Sequence, residues 1–345
     1  MSGAAGTPAT GAARATMKDV AALAGVGLKT VSRVVNGEPG VSEETARKVH
    51  AAIEHLRFRR NDGARLLRQG SRTRCVGLVL EDLADPFYSQ LSRAVEEVAR
   101  AHGSLLLTGS SAEDPVRERA LALDFCARRV DGLIIVPTAA DHSYLDDELA
   151  AGTAVVCADR PAPGLAVDTV LADNRGGAAT GVDHLLRQGH RRIGFLGDAP
   201  DIYTATERLA GYRRAMTAAG CAVDERWVAM ATPDPLALGR ALDRMLAAPA
   251  PVTALLCGNG RTTVAVLREL AARPARPALV GFDDFELADL LPLPVTVVAQ
   301  DPAAMGRLAA ELLFRRMAGG GAEPQRFEIA TRLIARGSGE LPPTD

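Results

Sequence analysis

The chain has 345 residues, of which 47% are hydrophobic and 24% charged, and its formal net charge is −2. That length exceeds one ordinary domain and fits two or three, each with apolar residues enough for a core. No apolar run approaches the ~20 residues of a membrane span, and residues 1–16, rich in Ala, Gly and Thr, lack the apolar stretch of a signal peptide, so they read as a disordered lead-in to a cytoplasmic protein.

The small net charge conceals an asymmetry. Residues 1–75 carry 13 Lys and Arg against 6 Asp and Glu, a net of +7, which leaves −9 for the remainder. A basic first fifth on an acidic body points to a front end that meets a polyanion. Within it, Thr16-Met17-Lys18-Asp19 has the form of a capping box, with Asp19 in place of Glu. Val20, Leu23 and Ala24 supply a short apolar face, and Gly25-Val26-Gly27 breaks the helix. A second helix runs from about Leu28 to Val35, with Val31, Val34 and Val35 inward and Leu28, Lys29, Thr30, Ser32 and Arg33 outward. Asn36-Gly37 and Pro39-Gly40 end it. Ser42 caps a third helix with Ala46, Val49, Ile53 and Leu56 on one face.

Three short helices with a glycine turn between the first two make a helix-turn-helix over residues 17–58. The second helix of that motif offers its N-terminal side chains to base edges in the major groove. Arg33 can hold guanine bidentately, Leu28 can meet a thymine methyl, and Lys29 extends the basic face. Thr30 and Ser32 suit phosphate oxygens. Spacing alone also permits a small helical bundle with an idle exposed face.

The stretch Met17-Lys18-Asp19-Val20-Ala21, Ala24-Gly25-Val26 and Thr30-Val31-Ser32-Arg33-Val34-Val35-Asn36, followed by Val41-Ser42-Glu43-Glu44-Thr45, closely resembles the N-terminal module of the LacI/GalR (lactose-repressor) family. The similarity extends from about residue 17 to about residue 337. It implies double-stranded operator DNA as partner and adds Asn36 to the DNA-facing set. Gly27 departs from the family, which commonly has Ser there; Gly costs only a few tenths of a kcal/mol as a cap but lacks a hydroxyl for phosphate.

Residues 59–72, Arg59-Arg60-Asn61-Asp62-Gly63-Ala64-Arg65-Leu66-Leu67-Arg68-Gln69-Gly70 and beyond, resemble the family's hinge, which folds on DNA and inserts a Leu into the minor groove. Aligned on Asn61, Ala64 and Arg65, that residue is Leu67; such wedges unstack a base step. Arg60 replaces the usual Pro, and Gly63 weakens the helix by about 1 kcal/mol relative to Ala, so folding there depends on DNA and on a partner. A plain Arg-rich linker is the other reading.

Residues 73–340 alternate apolar runs (Val76–Leu80, Gly132–Val136, Arg192–Leu196, Ala254–Cys257 and Ala278–Phe282) with amphipathic spans. This is the βαβ pattern of doubly wound parallel sheets; the span is too long for one sheet and suits two lobes of the periplasmic-binding-protein-like kind. Ligands in such folds bind beyond the carboxyl ends of strands, here between the lobes. The candidates are Asp85 and Phe87 after the first strand, then Asp159 beside Arg160, Arg208 in a helical span, and Asn259, Asp283 and Gln300. In the resembled family the matching positions contact the effector or lie beside it. Arg208 leads, because a guanidinium in a closed cleft fixes a hydroxyl or carboxylate geometrically, and Asp283 follows as an acceptor for paired hydroxyls. Each taken singly could instead be a loop salt bridge or a helix cap.

Asp173-Asn174, Gly177, His184-Leu185 and Gln188-Gly189-His190-Arg191-Arg192-Ile193 also follow the family, and His190 reads as a turn residue holding its lobe together. Aromatics are scarce at 4%. Family members often stack a ring on the effector a few residues beyond a Trp, but after Trp227 this chain reads Thr232-Pro233-Asp234-Pro235. Phe87 is then the stacking surface, and recognition leans on hydrogen bonds to a small polar effector, a sugar or similar polyol.

Five scattered cysteines without a C-x-x-C pair indicate neither zinc nor a disulfide framework, and no metal or cofactor is expected. No G-x-G-x-x-G follows a strand, and no P-loop, G-x-S-x-G elbow or metal-spaced His cluster occurs, which argues against an enzyme. A solute-binding protein shares the two lobes but has no use for residues 17–70. A homodimeric regulator on a pseudo-palindromic site, acting as a repressor under allosteric control, is the expectation.

Overall fold

The computed structural model describes residues 15–58, 73–138, 141–231, 234–321 and 323–343. The chain divides into two compact units, 1–72 and 73–345. The hinge candidates Asn61, Arg65 and Leu67 lie outside the described residues.

The first unit holds α1 (Met17–Ala24), α2 (Leu28–Val35) and α3 (Glu43–His55). Thr16 Oγ1 accepts the Asp19 amide at 3.4 Å while Asp19 Oδ2 accepts the Thr16 amide at 2.7 Å, so the reciprocal cap is formed. Gly25, at φ +65°, takes the left-handed conformation that ends α1. Gly27 caps α2 with no side chain to offer, and Ser42 Oγ accepts from the Thr45 amide at the head of α3. Val20, Val31, Val49 and Ala52 form the buried centre, with Val34, Val35, Ile53, Leu56 and Phe58 packed around it. Helical spacing thus turns one stripe of each helix inward.

The second unit begins with β1 (Cys75–Leu80), α4 (Pro86–Ala101), β2 (Leu105–Ser110), α5 (Pro115–Ala127), β3 (Gly132–Ile135), α6 (Asp146–Ala150), β4 (Ala154–Ala158) and β5 (Asp168–Ala172). It continues with α7 (Asn174–Arg187), β6 (Ile193–Gly197), α8 (Tyr203–Ala218), β7 (Val228–Met230), α9 (Pro235–Leu246), β8 (Ala254–Cys257), α10 (Gly260–Ala271), β9 (Ala278–Phe282) and β10 (Thr296–Ala299). α11 (Pro302–Met317), β11 (Arg326–Ile329) and β12 (Arg332–Ile334) complete it.

These elements build two sheets, in the orders β11-β5-β4-β3-β1-β2 and β12-β10-β9-β8-β6-β7. Each sheet is covered on both faces, so its strands read as nearly continuous apolar runs. Along β1, Val76, Leu78 and Leu80 enter one core with Leu91 and Leu313, while Val79 enters the other with Phe125, Leu133 and Cys157. The second lobe repeats the arrangement, Phe195 and Val280 on one face and Leu196 and Leu279 on the other.

The chain crosses between lobes three times, after β5, after β10 and between β11 and β12. The third crossing explains a departure from two wholly parallel sheets: β12 runs antiparallel to β10. β11 runs parallel to β5, toward the other lobe. A chain continuing straight on must then run against strands whose own carboxyl ends face back.

His190 is fully buried; its Nε2–H donates to the Leu341 carbonyl at 2.9 Å, which leaves Nδ1 to accept from the Thr253 hydroxyl at 2.9 Å. Burial holds its pKa below the ordinary value. It pins the chain's end to the second lobe. Cys126, Cys157 and Cys257 are buried thiols, and none of the five cysteines is in a disulfide. Among the described residues no helix is long and apolar enough to cross a membrane.

Candidate functional site

In the first unit, the opening turn of α2 presents Leu28, 45% exposed, and Lys29 to the surface. Thr30, Ser32 and Arg33 are half-buried at its flank rather than fully outward. Asn36, at the end of α2, donates to Glu38 Oε1 at 3.0 Å and lies 3.4 Å from Ser32 Oγ.

In the second unit, strand ends of both lobes converge on one polar cleft, and all seven effector candidates (Asp85, Phe87, Asp159, Arg208, Asn259, Asp283 and Gln300) line it. The first lobe supplies its wall from the ends of β1 and β4. Asp85 caps α4, accepting the Phe87 amide at 2.9 Å, and so sets Phe87 and Tyr88 in the first turn, edge to face with ring centroids 5.1 Å apart. Tyr88 donates its hydroxyl to Asp159 Oδ2 at 3.0 Å. Arg160 is clamped by Glu113, with Nη1 and Nη2 at 2.9 and 2.5 Å from the two carboxylate oxygens, and Nη2 also reaches Glu81 at 3.2 Å.

The second lobe mirrors this. Asn259 caps α10 through the Thr262 amide at 2.7 Å and donates to Asp198 Oδ2 at 2.9 Å. Arg208, only 4% exposed, lies 3.9 Å above the Phe282 ring; its Nε donates to Asn174 Oδ1 at 2.8 Å and Nη1 to the Gly258 carbonyl at 2.6 Å. Asp283 Oδ2 is 3.7 Å from that Nη1, and Asp283 Oδ1 accepts from Gln300 Nε2 at 2.5 Å. Asp159 and Asp283 hold the same place in their lobes, just beyond a strand, with φ of 65° and 70° and an amide bonded to the next strand at Val170 and Val298. Left-handed backbone at a non-glycine residue costs of order 1 kcal/mol or more and clusters where function needs a side chain aimed.

Arg261 ties the walls together. It stands on α10 of the second lobe and pairs through Nη2 with Glu81 of the first, with Asp85 at 3.6 Å and Asp198 at 3.9 Å. Burial raises Glu81 to about 7 despite the opposing pull of Arg261 and Arg160. Burial likewise pushes Asp85 and Asp159 up.

Sequence reasoning passed over Glu81, Asp198, Ile202 and Arg261, which also line the cleft. Glu81 and Asp198 directly follow the apolar runs of β1 and β6, and so carried the same signal as the residues that were chosen. Arg261 had no such signal, since its partner is 180 positions away. Trp227 is buried in the second lobe's core; Tyr88 joins Phe87 as the cleft's aromatic surface.

Comparison with known proteins adds two family models: residues 16–61 match "Bacterial regulatory proteins, lacI family", and residues 182–339 match a periplasmic binding protein-like domain. The transcriptional regulator GalR of Escherichia coli is 34% identical over 302 residues, 86% of this chain and 88% of that protein. Among solved structures, a complex of the transcriptional regulator CelR with cellobiose superposes with a TM-score of 0.70 at 32% identity, covering 94% of this chain and all of that one. The Cra regulator of Pseudomonas putida with fructose 1-phosphate superposes with a TM-score of 0.71 at 26% identity, over 77% of this chain and 99% of its own.

Proposed function

Because the chain belongs to the LacI family of bacterial regulatory proteins, we propose that it is a cytoplasmic repressor, without catalytic activity, that binds a pseudo-palindromic operator as a homodimer under the control of a small sugar-like effector. The observation that carries the effector reading is the cleft itself. Six residues expected beyond strand ends, with Arg208 from a helical span, line one cleft between two lobes joined by three crossings. Leu28, Lys29, Thr30, Ser32, Arg33 and Asn36 are assigned to the operator, and Asn61, Arg65 and Leu67 to the hinge. One such helix covers only a few base pairs, so a second copy is needed to read a palindrome. Effector and operator then influence each other's affinity reciprocally.

Two relatives caught with ligands hold cellobiose in one case and fructose 1-phosphate in the other, so kinship leaves the charge of the effector open. The test of the function is a fluorescence-anisotropy titration of the full chain, and of residues 73–345 alone, against DNA from upstream of its own gene at several salt concentrations. Tight binding by the full chain only, with a steep salt slope, is expected. Equal binding by the shorter chain would remove the DNA-binding role from the first unit.

A further inference from the structure

We propose that the cleft is built for an unphosphorylated polyhydroxy effector, and that Glu81 turns phosphate esters away by occupying the two guanidinium groups that could otherwise hold one. This rests on the effector reading of the cleft and deepens it.

Five carboxylates (Glu81, Asp85, Asp159, Asp198 and Asp283) line the cleft against three guanidinium groups. Each guanidinium already has partners. Arg160 carries the Glu113 clamp and Glu81, with Asp159 Oδ2 at 3.6 Å from its Nε. Arg261 carries Glu81, with Asp85 and Asp198 beside it. Arg208 is spent on Asn174, the Gly258 carbonyl and the Phe282 face. Among the described residues, Glu81 is the one group bonded to both Arg160 and Arg261, through separate carboxylate oxygens.

Helix N-termini are the other common phosphate cradles, and here their own residues fill them. Asp85 takes the amide at the head of α4, Asn259 takes the Thr262 amide on α10, and Asp283 Oδ2 faces the Gly260 amide at 3.4 Å. An ester of charge near −2 would enter a cleft with five carboxylates against three guanidinium groups and would have to displace carboxylates from Arg160 and Arg261.

Hydroxyl groups meet the opposite situation. Asp159 Oδ1 accepts no hydrogen bond among the described residues, and Gln300 Oε1 is buried without a partner. Both call for donors, and a hydroxyl donates to a carboxylate in a short charge-assisted bond while giving up no counter-charge.

The experiment is calorimetric titration of the full chain with matched pairs (glucose and glucose 6-phosphate, fructose and fructose 1-phosphate, ribose and ribose 5-phosphate), with inorganic phosphate as a separate probe. Each titrant is also scored for its effect on operator binding. In the wild-type chain every sugar that binds should exceed its ester at least tenfold, and inorganic phosphate should give no heat. Glu81→Gln should shift the ester-to-parent ratio at least tenfold toward the ester and bring in measurable phosphate binding, while Glu81→Asp should keep the exclusion. Tighter wild-type binding of an ester than of its parent, or no gain of phosphate by Glu81→Gln, overturns the proposal. The phosphate arm reads Glu81 even when no panel sugar binds. Loss of any effect of bound ligand on operator affinity would sink the effector reading instead.

Discussion

Glu81 is a carboxylate in a place that suits a neutral group. It faces Arg160, Tyr88 and Glu113 from its own lobe and Arg261 from the other, and burial still lifts it from 4.5 to about 7. Between those values the folded chain keeps a proton that the unfolded chain has released, so stability falls as pH rises through that window, and the full cost is present above it. Glu81→Gln should therefore match the wild type near pH 5 and melt a few degrees higher at pH 8 in scanning calorimetry, a shift of about 1–2 kcal/mol in a unit of this size. A lower melting point at pH 8 would mean that the pairs with Arg160 and Arg261 outweigh burial. Arg208 differs, because its hydrogen bonds go to two neutral oxygens that no other group satisfies among the described residues, with the Asp283 carboxylate farther off at 3.7 Å. Arg208→Ala should abolish the effector response while operator affinity stays near wild type, and should cost about 1–3 kcal/mol through the orphaned Asn174 and Gly258 oxygens. Arg208→Lys keeps the charge without the planar fork and should fail in the same assay. A normal response from either variant would remove Arg208 from the effector site.

At the scale of elements, the contact between α7 and α8 shows where propensity and packing pull apart. Gly211 lies in the middle of α8, where Ala should gain about 1 kcal/mol of helix propensity. A Cβ there, however, would run into the Arg175 carbonyl oxygen and lie 3.0 Å from Ala178. Gly211→Ala should thus destabilise the unit by about 2–3 kcal/mol, as overpacked sites do, and a melting point at or above wild type would show that the helices can separate freely. That glycine's role was not visible in the sequence, because a mid-helix Gly reads only as a weak spot. The strands were more legible. Runs such as Val76–Leu80 and Ala278–Phe282 are apolar on both faces, and only a sheet covered on both sides demands that. The front unit was legible for a different reason: Thr16, Gly25, Gly27 and Ser42 punctuate three helices by local chemistry alone. The reversed β12 was not, since Arg332-Leu333-Ile334 is short and its direction follows from a crossing three residues earlier.

At the scale of the whole effector-binding unit, the least legible feature is the ion-pair bridge across the cleft. Polar residues beyond strand ends announce a cleft, but whether the two walls touch depends on how closely the lobes approach, and three crossings leave that free to vary. Arg261 makes them touch, from the second residue of α10 to Glu81 and Asp85 of the opposite wall. Its guanidinium is 40% exposed, so salt reaches this bridge even though Glu81 itself is nearly buried. A side-chain bridge across the cleft requires an effector either to enter behind it or to break it, and the free energy of closure then depends on Arg261. Arg261→Ala should open the ligand-free lobes, seen as a larger radius of gyration by small-angle scattering of residues 73–345 at 50 mM salt. Raising the salt to 0.5 M should bring the wild type toward the variant, because screening weakens the same bond that the substitution deletes. Identical scattering curves at low salt would show that packing along the three crossings sets the closure, with the Arg261–Glu81 pair merely following it.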